Sequence, residues 1–504
     1  MRFSFLLVIS AFSLLFSQAF SQCTNNTCEV FPQNGACCYP AEGDPGYVPC
    51  CCTTIYDNQP FDEVPIDVLG TGTYTPCSGN SHVGGLYYNG SNVRPQIHTN
   101  HGINLANSII PRDTAGNPDP VNGKVGFIAL GPSVAREMFD PFIDRVNDLR
   151  AAGITRINPC LHIVNGSLAT TNIDDLIWDF NIHPNPSTPT TYWEFLIDGK
   201  LIPGGLTPKQ VQVIWFKYPA NVPFTLSFED FRDSSQVLIR MAMEQLYQRF
   251  PNLKIVYLTS MSYKGYMCTP NNPVREPAGY WSGWVMKKLI TEQIQNSMDG
   301  SHPELEFRPA NNPHLPWLSW GPYLWSNGLQ PNTFGVKWQC PIDYDDNQHP
   351  SPRGERMVAT TLLRFFYRDE TAKIWFRNSS AFNCDRCNDG VQDYGETGVD
   401  CGGPCPPCPS SIILNRLGQF AKEEMKLYPN PATTQVTIEL PWFMDETDRV
   451  KLRVFDIYGK LAKVIDVTSS THTFSTADLE DGSYLYDVIS SGEKLFSGQF
   501  MVVK

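Results

Sequence analysis

Histidine is scarce in this chain, with nine among 504 residues. Basic residues are also in deficit: 38 Lys and Arg stand against 51 Asp and Glu, a net charge of −13. A chain of that sign repels nucleic acid and anionic lipid, so neither is expected as a partner, and the acidity reads as solubility. Beyond the N-terminus no stretch reaches the roughly 18 apolar residues that cross a bilayer, so no stable membrane span is expected. The few histidines lie away from the cysteine clusters, so disulfides are expected there rather than metal, and no metal or organic cofactor is expected.

What the chain does have is cysteine, in a place where cysteines oxidise. Met1-Arg2, an apolar run from Phe3 to Phe16, and then Ala19-Phe20-Ser21 read as a signal peptide over residues 1–21. Cys23 also permits a lipid-anchor reading, which Gln22 before it fits poorly. Sixteen cysteines in an exported chain read first as disulfides, whose pairing spacing alone does not give. They cluster at 23–52, a group of seven that Cys77 would make even, and at 384–408, with Cys160, Cys268 and Cys340 scattered between.

At this length more than one core is expected. Residues 22–64 read as a Cys-rich extension. Residues 65–380 alternate apolar runs with amphipathic segments. Runs at 125–130, 157–164, 211–216 and 253–258 read as buried strands, and 135–152, 228–250, 281–294 and 353–367 as helices. Strands alternating with helices predict an α/β fold, a doubly wound and mostly parallel sheet of flavodoxin-like type, with its site at the carboxyl ends of the strands. Residues 381–410 form a short Cys-rich linker module. Its acids Asp389, Asp393, Glu396 and Asp400 suit calcium, but they are spaced unlike a calcium loop and read better as a solvated face. Residues 411–504 alternate as short strands with turns, a small all-β sandwich.

The chemistry-bearing residues fall at strand ends. The run 125–130 leads into Gly131-Pro132-Ser133 and a helix: strand, tight turn, serine. Late in the domain stand Asp346 and His349, where a carboxylate three residues before an imidazole can fix its tautomer and stabilise its charged form. Serine early and Asp/His late suggest a Ser-His-Asp hydrolase. The competing reading makes Ser133 a helix cap and Asp346 a turn cap. Gly131-Pro132-Ser133-Val134-Ala135 also nearly matches a Gly-x-Ser-x-Gly elbow, with Ala135 in place of the last glycine. Trp317, Trp320, Tyr323 and Trp325 suit either a sugar site or a core. His98 and His101 are expected in a polar, solvated loop before the sheet.

Two resemblances sharpen this picture. Leu427-Tyr428-Pro429-Asn430-Pro431-Ala432, Val454 to Lys460, Leu479 to Tyr484 and the final Lys504 resemble the sorting domain of the type IX secretion system of Bacteroidetes. That implies export through the periplasm and outer membrane to the cell surface or the medium, with the secretion machinery as partner of residues 411–504. Residues 65–380 resemble the SGNH (GDSL-type) hydrolases, a doubly wound fold with esterase activity. Gly131-Pro132-Ser133 matches the first family block, with Pro132 where Asp is usual. Asp346, His349, Pro350 and Ser351 match the last. Gly166, in Asn165-Gly166-Ser167, stands where the second block supplies an oxyanion glycine. The third-block Asn has no clear counterpart, and Lys217 and Asn221 stand nearest to its place. The resemblance implies that Ser133 attacks an ester, that His349 is its base and Asp346 orients His349, and that Gly166 with Lys217 or Asn221 holds the oxyanion. It calls for no cofactor. The expected substrate is a small-molecule or glycan ester, and the expected function a secreted serine esterase on acylated carbohydrate. The altered Pro132 and the missing Asn favour the alternative, an inactive surface protein that binds glycan.

Overall fold

A computed structural model describes residues 63–76, 79–151, 156–182, 190–220, 222, 226–265, 276–328, 330–339, 342–345, 348–378, 384, 426–439, 450–457, 460–467, 471–490 and 493–504. The leader, the N-terminal Cys-rich extension, the calcium-suited acids, Asn221 and Asp346 lie outside the described residues.

Five parallel strands form the sheet of the large region: β1 (Val125–Leu130), β2 (Leu161–Asn165), β3 (Val211–Phe216), β4 (Ile255–Leu258) and β5 (Trp317–Trp320). Their order across the sheet is β2-β1-β3-β4-β5. This is the flavodoxin-like doubly wound order, in which the chain reverses direction between β1 and β3 and leaves a crevice at their carboxyl ends. Every residue of β1, β3, β4 and β5 is buried. Strands covered on both faces need continuous apolar sequence rather than alternation, which is why these runs were legible.

Five longer helices accompany the sheet: α1 (Gln96–Asn107), α2 (Ser133–Ala151), α3 (Phe228–Arg249), α4 (Ala278–Asp299) and α5 (Pro352–Arg368). α2 packs with α5, and α3 with α4. Ser227 caps α3 by accepting from Asp230 N at 3.1 Å, and Ser351 caps α5 by accepting from Gly354 N at 3.3 Å. A short helix, α6 (Ala372–Phe376), follows. A disulfide joins Cys160, just before β2, to Cys384 across 224 residues of sequence.

Three expectations change, and one open alternative is settled. The second strand begins at Leu161 rather than Ile157, because Ile157 bridges Arg377 and Asn158 turns the chain, donating from Nδ2 to Trp375 O. The aromatic run after α4 contains a fifth strand. Its Trp317, Trp320, Tyr323 and Trp325 are all buried, so they belong to the core and not to an open sugar platform. His98 and His101 lie on α1, not in a loop. His98 is fully buried, stacked on Trp317 and donating from Nε2 to Leu318 O at 2.8 Å.

The C-terminal region contains two antiparallel sheets. Strands β6 (Lys426–Tyr428), β7 (Gln435–Glu439) and β10 (Thr471–Ser475) form one, in the order β10-β7-β6. Strands β8 (Val450–Asp456), β9 (Leu461–Val467), β11 (Gly482–Ser490) and β12 (Glu493–Val502) form the other, in the order β9-β8-β11-β12. Burial alternates along β8, with Val450, Leu452 and Val454 in the core and Lys451 outside. The conspicuous motif residues knit the ends together. Asn430 Oδ1 accepts from Met501 N at 2.9 Å, and Ala432 exchanges backbone hydrogen bonds with Met501 and Val503. Lys504 N donates to Asp481 Oδ1 at 3.1 Å, and its ammonium to Ala477 O.

Candidate active site

Strand register sets the floor of the site. Leu130 pairs with Phe216, Phe216 with Leu258, and Leu258 with Trp320. The next residues, Gly131, Lys217, Thr259 and Gly321, therefore line one edge of the sheet. The ladder continues there: Lys217 N donates to Leu130 O at 2.9 Å and Thr259 N to Phe216 O at 3.0 Å. Gly131 is tightly enclosed. A Cβ on it would stand 2.3 Å from Ala135 Cβ and 2.8 Å from Lys217 O, so the turn into α2 admits no side chain at this position. The same contact explains why Ala135, one turn into the helix, is small.

Ser133 opens α2 at this edge and is half-buried. Its Oγ lies 3.0 Å from His349 Nε2, although the two residues are 216 apart in sequence. Two of the three residues expected to react together are thus in hydrogen-bonding contact. With Ser133 as donor, Nε2 is the acceptor, and the imidazole proton sits on Nδ1. Asp346, expected to receive that proton's hydrogen bond, falls outside the described residues.

The loop bearing His349 is braced from several sides. Asp345 N donates to His349 O at 3.1 Å, and Ser351 N to Asp343 O at 2.9 Å. Ser351 Oγ donates to Ile342 O. Tyr344 packs on Trp338 and donates its hydroxyl to Tyr263 O at 2.5 Å. Lys264 Nζ donates to Gln348 O at 2.9 Å, one residue before the histidine. The segment after β4 therefore holds the imidazole loop in place. Lys264 is a residue that sequence reasoning missed. Its signal was a lone lysine after Ser260-Met261-Ser262-Tyr263, at the end of a strand whose register points to the same edge.

Gly166 is placed by the loop after β2. A Cβ there would meet Leu196 Cδ1 at 2.9 Å and Ala129 O at 3.0 Å, so the backbone lies close against β1. Leu168 N donates to Gly131 O at 2.9 Å, and Thr171 Oγ1 contacts Tyr218 OH at 2.8 Å, tying this loop to the residues after β1 and β3.

The electrostatics of the edge are uneven. Lys217 is only 1 % exposed, and burial, with Lys264 nearby, pulls its ammonium well below the ordinary lysine value. Glu276 is buried behind Lys264 and accepts from Lys264 N at 2.7 Å, Tyr280 N at 2.8 Å and Trp325 Nε1 at 2.9 Å. Burial outweighs these bonds and pushes its carboxyl up to about 7. Among the described residues no group of three or more His, Cys, Asp and Glu is arranged to hold a metal ion.

The C-terminal strands answer to a known family. Residues 426–503 match the secretion system C-terminal sorting domain. The match marks the chain for type IX export, as found in Bacteroidetes, to the cell surface or the medium, with the secretion machinery as a partner. No described helix is long and apolar enough to cross a membrane. No curated protein sequence matches the chain. One similar solved chain is described as PorZ, an essential bacterial surface component of the type IX secretion system of Porphyromonas gingivalis. It is 18% identical over 17% of this chain and 12% of that chain, with a TM-score of 0.14.

Proposed function

We propose that the α/β region is a secreted serine hydrolase of SGNH type acting on esters. The observation that carries this reading is the 3.0 Å contact between Ser133 Oγ and His349 Nε2 at the carboxyl edge of a doubly wound parallel sheet. A helix cap would not need an imidazole on its hydroxyl. A base on a serine is the arrangement that turns a weak nucleophile into a reactive one.

The steps follow from the donors present. Ser133 Oγ adds to the ester carbonyl carbon as its proton passes to His349 Nε2. The carbonyl oxygen becomes an oxyanion, which this reading assigns to the backbone N–H groups of Ser133 and Gly166, each such donor being worth about 3 kcal/mol. The tetrahedral intermediate collapses, the bond to the alcohol breaks, and the alkoxide takes the proton from Nε2. Water then attacks the acyl-serine with the same histidine as base, releasing the carboxylic acid and restoring Ser133. Asp346 is assigned to Nδ1. An acylated glycan is the substrate class in keeping with export.

Hydrolysis of p-nitrophenyl acetate and butyrate by the purified chain, beside Ser133→Ala and His349→Ala, tests this directly. Turnover by the wild type with a loss of roughly 10⁴-fold in each variant is expected. Equal rates in all three proteins would reject the hydrolase reading and leave glycan binding by an inactive fold.

A further inference from the structure

A lysine buried against another lysine is costly unless something negative joins them. Lys217 and Lys264 are 1 % and 0 % exposed, and the like charge of Lys264 acts on Lys217. Among the described residues no carboxylate faces Lys217, and its ammonium makes no hydrogen bond to any of them. Its backbone is committed to the sheet edge through Leu130 O, and Gly131, two residues before Ser133, lies against its carbonyl. Two hydroxyls on the flanking loops, Ser167 Oγ and Ser262 Oγ, are also fully buried and lack hydrogen-bond partners among the described residues. One loop follows β2 and the other follows β4, on either side of β1 and β3.

We propose that Lys217 holds a negative charge carried by the substrate itself, so that the site prefers esters with a carboxylate close to the reacting carbonyl. The inference rests on the reading of Ser133 and His349 as the reacting pair. An ordinary esterase site has no need of a buried ammonium, whereas a carboxylate entering between β1 and β3 gives this one a charge-assisted partner.

Binding to Ser133→Ala protein separates this inference from catalysis. The probes are monomethyl succinate, which is charged, and dimethyl succinate, which is neutral and nearly isosteric. Calorimetric titration of the full chain is expected to show the monoanion binding about tenfold to a hundredfold more tightly, the usual range for a hydrogen bond to a charged group. Lys217→Met replaces a buried amine with an apolar chain of similar length, so it is expected to fold at least as stably while losing the preference. Equal affinity for the two probes, or a preference that survives in Lys217→Met, overturns the proposal. A wild type that hydrolyses no ester while Ser133→Ala keeps the preference leaves an anion site without the reaction, and so rejects only the hydrolase reading.

Discussion

The two sheet regions solve the same burial problem in opposite ways. In the parallel sheet, β1 and β3 bury all six of their residues, and Trp215 and Phe127 disappear entirely. In the sorting domain, β8 buries every second residue and gives the others to solvent, with Arg453 gripping Asp487 on the neighbouring strand through two hydrogen bonds of 2.7 and 2.6 Å. A sheet covered on both faces has no face left for recognition, so its chemistry is confined to strand ends, where Ser133, Lys217 and the His349 loop are found. A half-covered sheet presents a row of side chains and suits recognition along its length by a partner.

The largest effect expected from breaking this division is at a strand end. Asp346→Asn should leave the sheet intact, with an unchanged melting temperature, and lower kcat for p-nitrophenyl acetate by about 10⁴-fold. A variant as active as the wild type would remove Asp346 from the reacting group. Within the strands the expected loss is in stability. Phe127 meets Phe139, Phe366 and Trp375 edge to face, and Phe127→Ala should cost about 3–5 kcal/mol in denaturant unfolding. Cys160→Ser opens the bridge to Cys384 and should cost about 2–4 kcal/mol in denaturant unfolding.

Buried His98 supplies the pH dependence. Burial holds its imidazole down to about 3, against about 6.5 when unfolded. The unfolded chain therefore takes the proton first, and the stability tied to neutral His98 is present above about pH 6.5 and is lost as pH falls toward 3. Relative to His98→Phe, the wild type should weaken over that window by about 1.4 kcal/mol for every unit that the two values differ. A constant difference between the proteins would contradict the buried, neutral imidazole. The smallest effect belongs to the open sheet: Lys463→Ala loses a surface pair with Asp478 and should move stability by less than about 1 kcal/mol.

What was legible in the sequence follows the same division. Continuous apolar runs marked β1 and β3 because a strand buried on both faces tolerates nothing else. β5 was hidden because Trp317 to Trp320 includes Ser319 and runs into more aromatic residues without a break, so its period is that of neither strand nor helix. His98 was misplaced because Gln96, Thr99 and Asn100 around it look solvated, and only the partner Leu318 O, more than two hundred residues away, makes a buried imidazole acceptable. That Ser133 and His349 lie at one edge of the sheet was expected from the alternation of strands and helices, whereas their contact was not legible. Nor was the part played by Lys264, since it depends on which loop carbonyl its ammonium meets.

The Cys160–Cys384 bridge has a mechanical consequence. Tension applied to the chain beyond Cys384, and resisted at the N-terminal side, passes through the bridge to Cys160. Residues 161–383 hang as a closed loop off that line, and Lys217, Lys264 and His349 are all within it. The bridge thus keeps residues 161–383 from being drawn out as an extended chain, and of the reacting pair His349 lies inside that closed loop and Ser133 outside it.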